Sequence, residues 1–198
     1  MDHGGWYTDN EFRSLVDIGF VSALGVPGGG RNAVSSRFLR HFVSLSVVPF
    51  DNDSLQRIFS TIMKRWINSF PNGSGSDLLS VQAKIVSATV SLYDTIASEL
   101  RPTPAKAHYT FNLRDLSKVF QGVVSGKKSN ISSGTDLVRL WSHECYRVFS
   151  DRLIDSTDEK WFHNVLIKQV KTTLNMDYER EILSGDADRR LIYCDFLA

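Results

Sequence analysis

The strongest constraint in this 198-residue chain is a change of period near residue 50. After it, Leu55, Ile58, Phe59, Ile62 and Trp66 stand at i, i+3, i+4, i+7 and i+11, one apolar stripe of an α-helix. Before it, apolar residues come in short blocks. Val16, Ile18 and Phe20 alternate, Val21, Ala23 and Leu24 extend the run, and residues 42–50 (FVSLSVVPF) form a second block stopped by Pro49. Such blocks predict strands buried on both faces. Between them, Gly25, Pro27 and the triplet Gly28, Gly29, Gly30 signal a turn, and 35–41 predicts a short helical turn. Two strands alone are marginal in water, so these read as members of a sheet whose other strands lie elsewhere. The expected fold is mainly α: a helical domain over 51–198 preceded by a partial α/β segment over 1–50.

Several further helices follow from the same reasoning. Asp53 or Ser54 is the expected N-cap of the first. Leu78, Val81, Ile85, Leu92 and Ile96 share a face of a long helix that ends before Pro102 and Pro104. Asn112 is placed to cap a short helix carrying Leu116, Val119 and Phe120, with Gly122 as its stop. Residues 125–134 form a polar loop. Leu137, Leu140, Trp141, Val148 and Phe149 mark another helix, and Ser156 with Glu159 has the spacing of a capping box opening a last one through Trp161, Val165 and Leu166. The closing residues 191–196 (LIYCDF) predict a short strand or an extended end.

Composition narrows the class. A formal net charge of +1 gives no clustered basic face for nucleic acid or an anionic membrane. Two cysteines, Cys145 and Cys194, are too few for a disulfide framework and suit a reducing compartment. No apolar run reaches about 18 residues, the length of a membrane span. The N-terminal MDHGGWYTDN lacks the basic and apolar blocks of a secretory signal; its abrupt start suggests a stretch cut from a longer chain.

Most candidate chemistry is weak. The glycine triplet is followed by Arg31 and Asn32, where a phosphate loop needs Lys and a hydroxyl. Gly122, Gly126, Lys127, Lys128 and Ser129 approach that motif, but the glycines are one residue too close and follow a helix rather than a strand, so a solvated loop is expected. His143 and Cys145, two apart on a helix, face different directions and make a poor zinc pair. LIYCDF resembles a metal-positioning strand but lacks the second carboxylate; a packed tail is expected. Three arginines are more specific. Arg37 and Arg40, in SSRFLRHF, share a helical face. Arg114, in HYTFNLRDLSK, sits in the first turn of a capped helix, where the backbone dipole favours anions over cations. It either pairs with Asp115 or another carboxylate, or it faces an anion such as a phosphate, whose geometry a guanidinium matches.

Taken in order, GFVSALGVPGGGRN, SSRFLRHF, HYTFNLRDLSKVFQGV, LVRLWSHECYRVFSDRLI and LIYCDFL closely resemble the third AAA+ module of dynein heavy chains, the axonemal branch in particular, and MDHGGWY resembles the segment after that module's metal-binding strand. The resemblance is collinear over essentially the whole chain. It implies a piece of a six-module motor ring that drives minus-end-directed microtubule movement. Residues 1–50 would be the last core strands of a large α/β subdomain and 51–198 the helical lid, with the phosphate loop and metal-binding strand upstream.

Residue roles follow from the resemblance in the same conditional form. Arg37, or else Arg40, would be an arginine finger acting on the neighbouring module. Arg114 would be the lid's sensor of the module's own nucleotide. ATP or ADP with Mg would bind the intact module, and none is expected on this chain alone, which should be inactive in isolation. Partners would be the other modules of the same heavy chain, microtubules and dynein light and intermediate chains, in the cytoplasm, cytoskeleton and ciliary or flagellar axoneme. Gly25 departs from the family, standing where a first sensor residue, commonly Asn, would orient attacking water; hydrolysis at this module's own site should be slow or absent. A free-standing helical protein-interaction domain is the alternative.

Overall fold

A computed structural model describes residues 3–25, 33–70, 75–185 and 191–194. It divides into two units, Met1–Pro49 and Phe50–Ala198, and is mainly helical.

In the first unit the ordered sheet is a hairpin, β1 Gly5–Thr8 with β2 Glu11–Ser14, antiparallel with Trp6 opposite Arg13 and Tyr7 opposite Phe12. Its two-residue turn puts Asp9 at φ 50° and Asn10 at φ 66°, the left-handed pair that suits the twist of the flanking strands. The Tyr7 and Phe12 rings meet edge-on, 5.2 Å apart. A short helix, α1 Ser36–Leu39, follows. The strands expected over 16–24 and 42–50 are not formed among the described residues: both segments are irregular, with Asp17 at φ 54°, and their large apolar side chains are exposed, Val21 and Val43 almost fully. An extended run gains its ladder hydrogen bonds only from a neighbouring strand, and no described strand lies beside either one. The glycine triplet and Arg31 fall outside the described residues.

The second unit is built on α3, Gly75–Glu99. Around it pack α2 Asn52–Ile67, α5 Gly134–Cys145, α6 Ser156–Gln169 and the π-turn Val170–Leu174 that prolongs α6. Helix α4, Leu113–Ser125, lies against α2, α3 and α5. The π-turn Tyr146–Ser150 prolongs α5, and a further one spans Tyr178–Ile182. The core is continuous from Met63 through Ile85, Leu92, Val119, Trp141 and Phe149 to Leu166. Phe59 stacks on Phe120 at 4.3 Å. The fully buried Trp141 donates its indole N–H to Thr89 Oγ1 at 2.8 Å, and Thr89 in turn donates to the Ile85 carbonyl. A large indole can be buried this deeply because its polar atom is satisfied.

Several helix details differ from the sequence reading. Helix α2 is capped by Asp51, whose carboxylate accepts from Ser54 N–H at 3.0 Å, rather than by Asp53 or Ser54. Its buried face is Leu55, Phe59, Met63, Trp66 and Ile67, while Ile58 and Ile62 point outward. Gly122 does not stop α4, which runs on to a C-cap at Gly126. An added Cβ at Gly122 would lie 1.9 Å from Glu144 Oε2, so this glycine marks a close crossing of α4 and α5. Ser156 is the first residue of α6; the cap position is Asp155, which makes no capping hydrogen bond. Its carboxylate is drawn instead to Lys106 Nζ at 2.5 Å.

Candidate functional site

The first turn of α4 carries the clearest arrangement. Asn112 is extended (φ −145°, ψ 175°), and its side-chain oxygen accepts from the Arg114 N–H at 2.8 Å. Asp115 returns the bond, accepting from the Asn112 N–H at 3.1 Å. This reciprocal box satisfies two of the helix's free donors and fixes the backbone on both sides of Arg114. The Arg114 side chain is exposed, and among the described residues it makes no hydrogen bond or ion pair.

Asp115 does not pair with Arg114. Its side chain is buried, with Oδ2 3.0 Å from Arg152 Nη1 and Oδ1 3.5 Å from Lys118 Nζ. The Arg152 contact lacks the alignment of a hydrogen bond and acts by charge. The guanidinium also lies over the Phe111 ring, 5.1 Å from its centre, a favourable cation–π placement. Arg152 had no signal in the sequence, since no local spacing joins it to Asp115.

Arg37 lies in α1 and Arg40 caps it; both side chains are exposed. Arg40 Nε donates to His41 Nε2 at 3.3 Å. Gly25 is exposed and is the last described residue before position 33. These three belong to the first unit and Arg114 to the second.

The weaker candidates resolve into packing. Lys128 is not a freely solvated loop residue: half-buried, its ammonium donates to Ser69 Oγ at 2.6 Å and to the Ser69 carbonyl at 3.3 Å, tying the 128–130 turn to the end of α2. His143 Nδ1 lies 3.0 Å from the Leu191 carbonyl, and its ring stands 5.5 Å from that of Tyr193, so the closing segment docks on α5. Over 191–194 that segment has no regular secondary structure and pairs with no described strand. Cys145 is fully buried, and burial pushes its thiol well above the ordinary range.

A second polar cluster holds the start of α6. Lys106 reaches Asp155 and Asp158, each at 2.5 Å. Tyr109 donates its hydroxyl to Asp158 at 2.8 Å and accepts from the Ile154 N–H at 3.1 Å. Hydrogen bonds donated to Asp155 and then Asp158 raise the Lys106 ammonium above the usual lysine range, and the Lys106 bond holds the Asp158 carboxyl below its ordinary value. The cluster is internally paired and reads as a clasp between the 104–109 segment and α6.

Two protein-family models match parts of the chain. Residues 85–184 match the AAA+ lid domain, and residues 1–50 match the P-loop containing dynein motor region. Among curated relatives, mouse dynein axonemal heavy chain 1 is 46% identical over 182 residues, 86% of this chain and 4% of that protein. Its human counterpart is 45% identical over 189 residues, 88% of this chain and 4% of that protein. Human dynein axonemal heavy chain 6 is 36% identical over 199 residues, all of this chain and 5% of that protein. The chain thus spans about one twentieth of the length of these relatives. With a helical unit whose core spans the matched lid and the motor-region match ahead of it, the chain belongs to the AAA+ motor family of the dynein heavy chains, as a stretch of motor-ring module that includes the lid.

Proposed function

We propose that this segment reads the nucleotide state of its own module through Arg114 and passes that state on by movement of the helical unit. The observation that carries the reading is the exposed Arg114 guanidinium on a doubly capped first turn, with the adjacent carboxylate already engaged by Arg152. A guanidinium at a helix N-terminus is poorly placed for the backbone dipole; a phosphate brought to the same place would satisfy both, since it accepts from the guanidinium and is favoured by the dipole. The chemistry expected of the group is therefore binding and orientation of phosphate oxygens, as in ATP or ADP. The described residues hold no cluster of three or more metal-ligating side chains, so a Mg ion accompanying the nucleotide would take its ligands from elsewhere in the module.

On this reading residues 1–50 are the end of the large α/β subdomain and 51–198 the lid. Arg37, or Arg40 beside it, projects toward the next module's nucleotide as an arginine finger. The parent protein is an ATP-driven, minus-end-directed microtubule motor of the axoneme, working with its other ring modules and with light and intermediate chains. Gly25, without a side chain to orient water, fits a module that binds nucleotide and turns it over slowly.

The test is made in the full-length heavy chain that carries this segment. Arg114→Ala should weaken a fluorescent ATP analogue at this module about tenfold, the value of one charge-assisted contact. Arg37→Ala should slow hydrolysis at the neighbouring module by at least about 100-fold, and the isolated 198-residue chain should release no phosphate from ATP above background. Unchanged nucleotide affinity in Arg114→Ala would reject the sensor role.

A further inference from the structure

The sensor reading leaves one physical problem. Arg114 and Asp115 are consecutive, of opposite charge, and at the same helix end. A flexible arginine beside an available carboxylate would fold onto it, which would cancel the charge meant for an anion. The structure removes that option in three ways. The Asp115 side chain is only 4% exposed. One of its oxygens accepts from the Asn112 N–H. The same oxygen lies 3.0 Å from Arg152, which is carried on the residues just past the π-turn that ends α5 and lies over Phe111. Among the described residues the only other cation at Asp115 is Lys118 at 3.5 Å, on an exposed side chain.

We propose that Asp115 and Arg152 are positioning residues for Arg114: Arg152 occupies the Asp115 carboxylate inside the fold, so that Arg114 is kept off its neighbour and presented to a polyphosphate. This rests on the Arg114 reading above but makes a separate claim about what holds the guanidinium outward. It also joins the first turn of α4 to the end of α5 by a buried charge contact, so that a pull on Arg114 reaches α5. The Arg152→Met substitution keeps the long apolar stem over Phe111 and deletes the charge. Asp115, still buried and left with only the exposed Lys118 at 3.5 Å, is then open to capture by the flexible Arg114 beside it.

Arginine Nε–H NMR on the whole 198-residue chain tests this, first without ligand and then titrated with inorganic tripolyphosphate at fixed ionic strength. Circular dichroism establishes that each variant is folded. In Arg152→Met, the Arg114 Nε–H should become ordered, with a raised heteronuclear NOE, and its apparent Kd for tripolyphosphate should rise at least about fivefold, as for loss of roughly one weak charged contact. Arg152→Lys should stay near the parent in both readouts, because it keeps the charge. Asp115→Asn/Arg152→Met should return Arg114 to the mobile state, because the capturing carboxylate is gone. An Arg114 signal as mobile in folded Arg152→Met as in the parent overturns the positioning role. The ligand-free spectra decide the positioning claim by themselves, while the sensor reading stands or falls separately on the nucleotide affinity of Arg114→Ala in the full-length heavy chain.

Discussion

Replacing Gly122 by alanine sets two effects of similar size against each other. Gly122 lies inside α4, and in an exposed helix interior alanine is preferred to glycine by about 1 kcal/mol. Here the added Cβ would meet Glu144 Oε2 at 1.9 Å, Cδ at 2.2 Å and Oε1 at 2.8 Å. All three are atoms of a flexible carboxylate, but one that cannot withdraw freely. The Glu144 side chain is 9% exposed, and Oε2 is gripped by Arg147 Nη2 at 2.6 Å and Nε at 2.8 Å. Moving it costs overpacking of about 1–3 kcal/mol and disturbs a charged pair whose Arg147 end is 47% exposed, which limits that part to about 1 kcal/mol. The balance is a loss of roughly 1–3 kcal/mol, a fall of about 3–10 °C in Tm for a unit of this size. Urea unfolding followed by helical circular dichroism measures it. The decisive comparison is the cycle with Glu144→Ala: with the carboxylate gone the alanine has room, so the double variant should recover at least about 1 kcal/mol of the loss. If Gly122→Ala is more stable than the parent by about 1 kcal/mol and shows no coupling to Glu144, helix propensity alone governs the site and the close crossing is not a constraint.

Two further outcomes follow from the polar groups. The Asp158 carboxyl, held low chiefly by its bond from Lys106, contributes stability above the ordinary carboxylate value and loses it as pH falls through its lowered value, below about pH 4. Lys106, raised by its two aspartates, contributes throughout the range below the ordinary lysine value and loses that only on the alkaline side, above about pH 10. Lys106→Met should therefore be less stable than the parent between about pH 5 and 9, with the gap closing in acid; a gap that stays constant down to about pH 2 would show that the clasp acts through packing alone. Titration with a chromogenic disulfide should modify the exposed Cys194 rapidly and the buried Cys145 only on unfolding; fast reaction of both would contradict the packing of α5.

The sequence by itself determined where helices form. Periodic apolar residues mark α2 and α3, prolines follow the end of α3, and Asn112 with Asp115 writes the start of α4 into adjacent positions, because capping and amphipathic spacing are local properties of the chain. The Asp9-Asn10 turn of the hairpin is equally local, its two residues both taking the left-handed conformation. Tertiary structure alone decided what those elements meet. Met63 rather than Ile58 or Ile62 faces the core, because the neighbouring helices fix how α2 is rotated. Gly122 is a crossing point rather than a stop, because Glu144 comes from another helix. The apolar blocks at 16–24 and 42–50 carry strand character but form no ladder among the described residues, because strand pairing is a property of two segments and never of one. Arg114 was visible as a charge at an unusual helix position; that its neighbour Asp115 is already engaged depends on Arg152, which only the folded chain brings there.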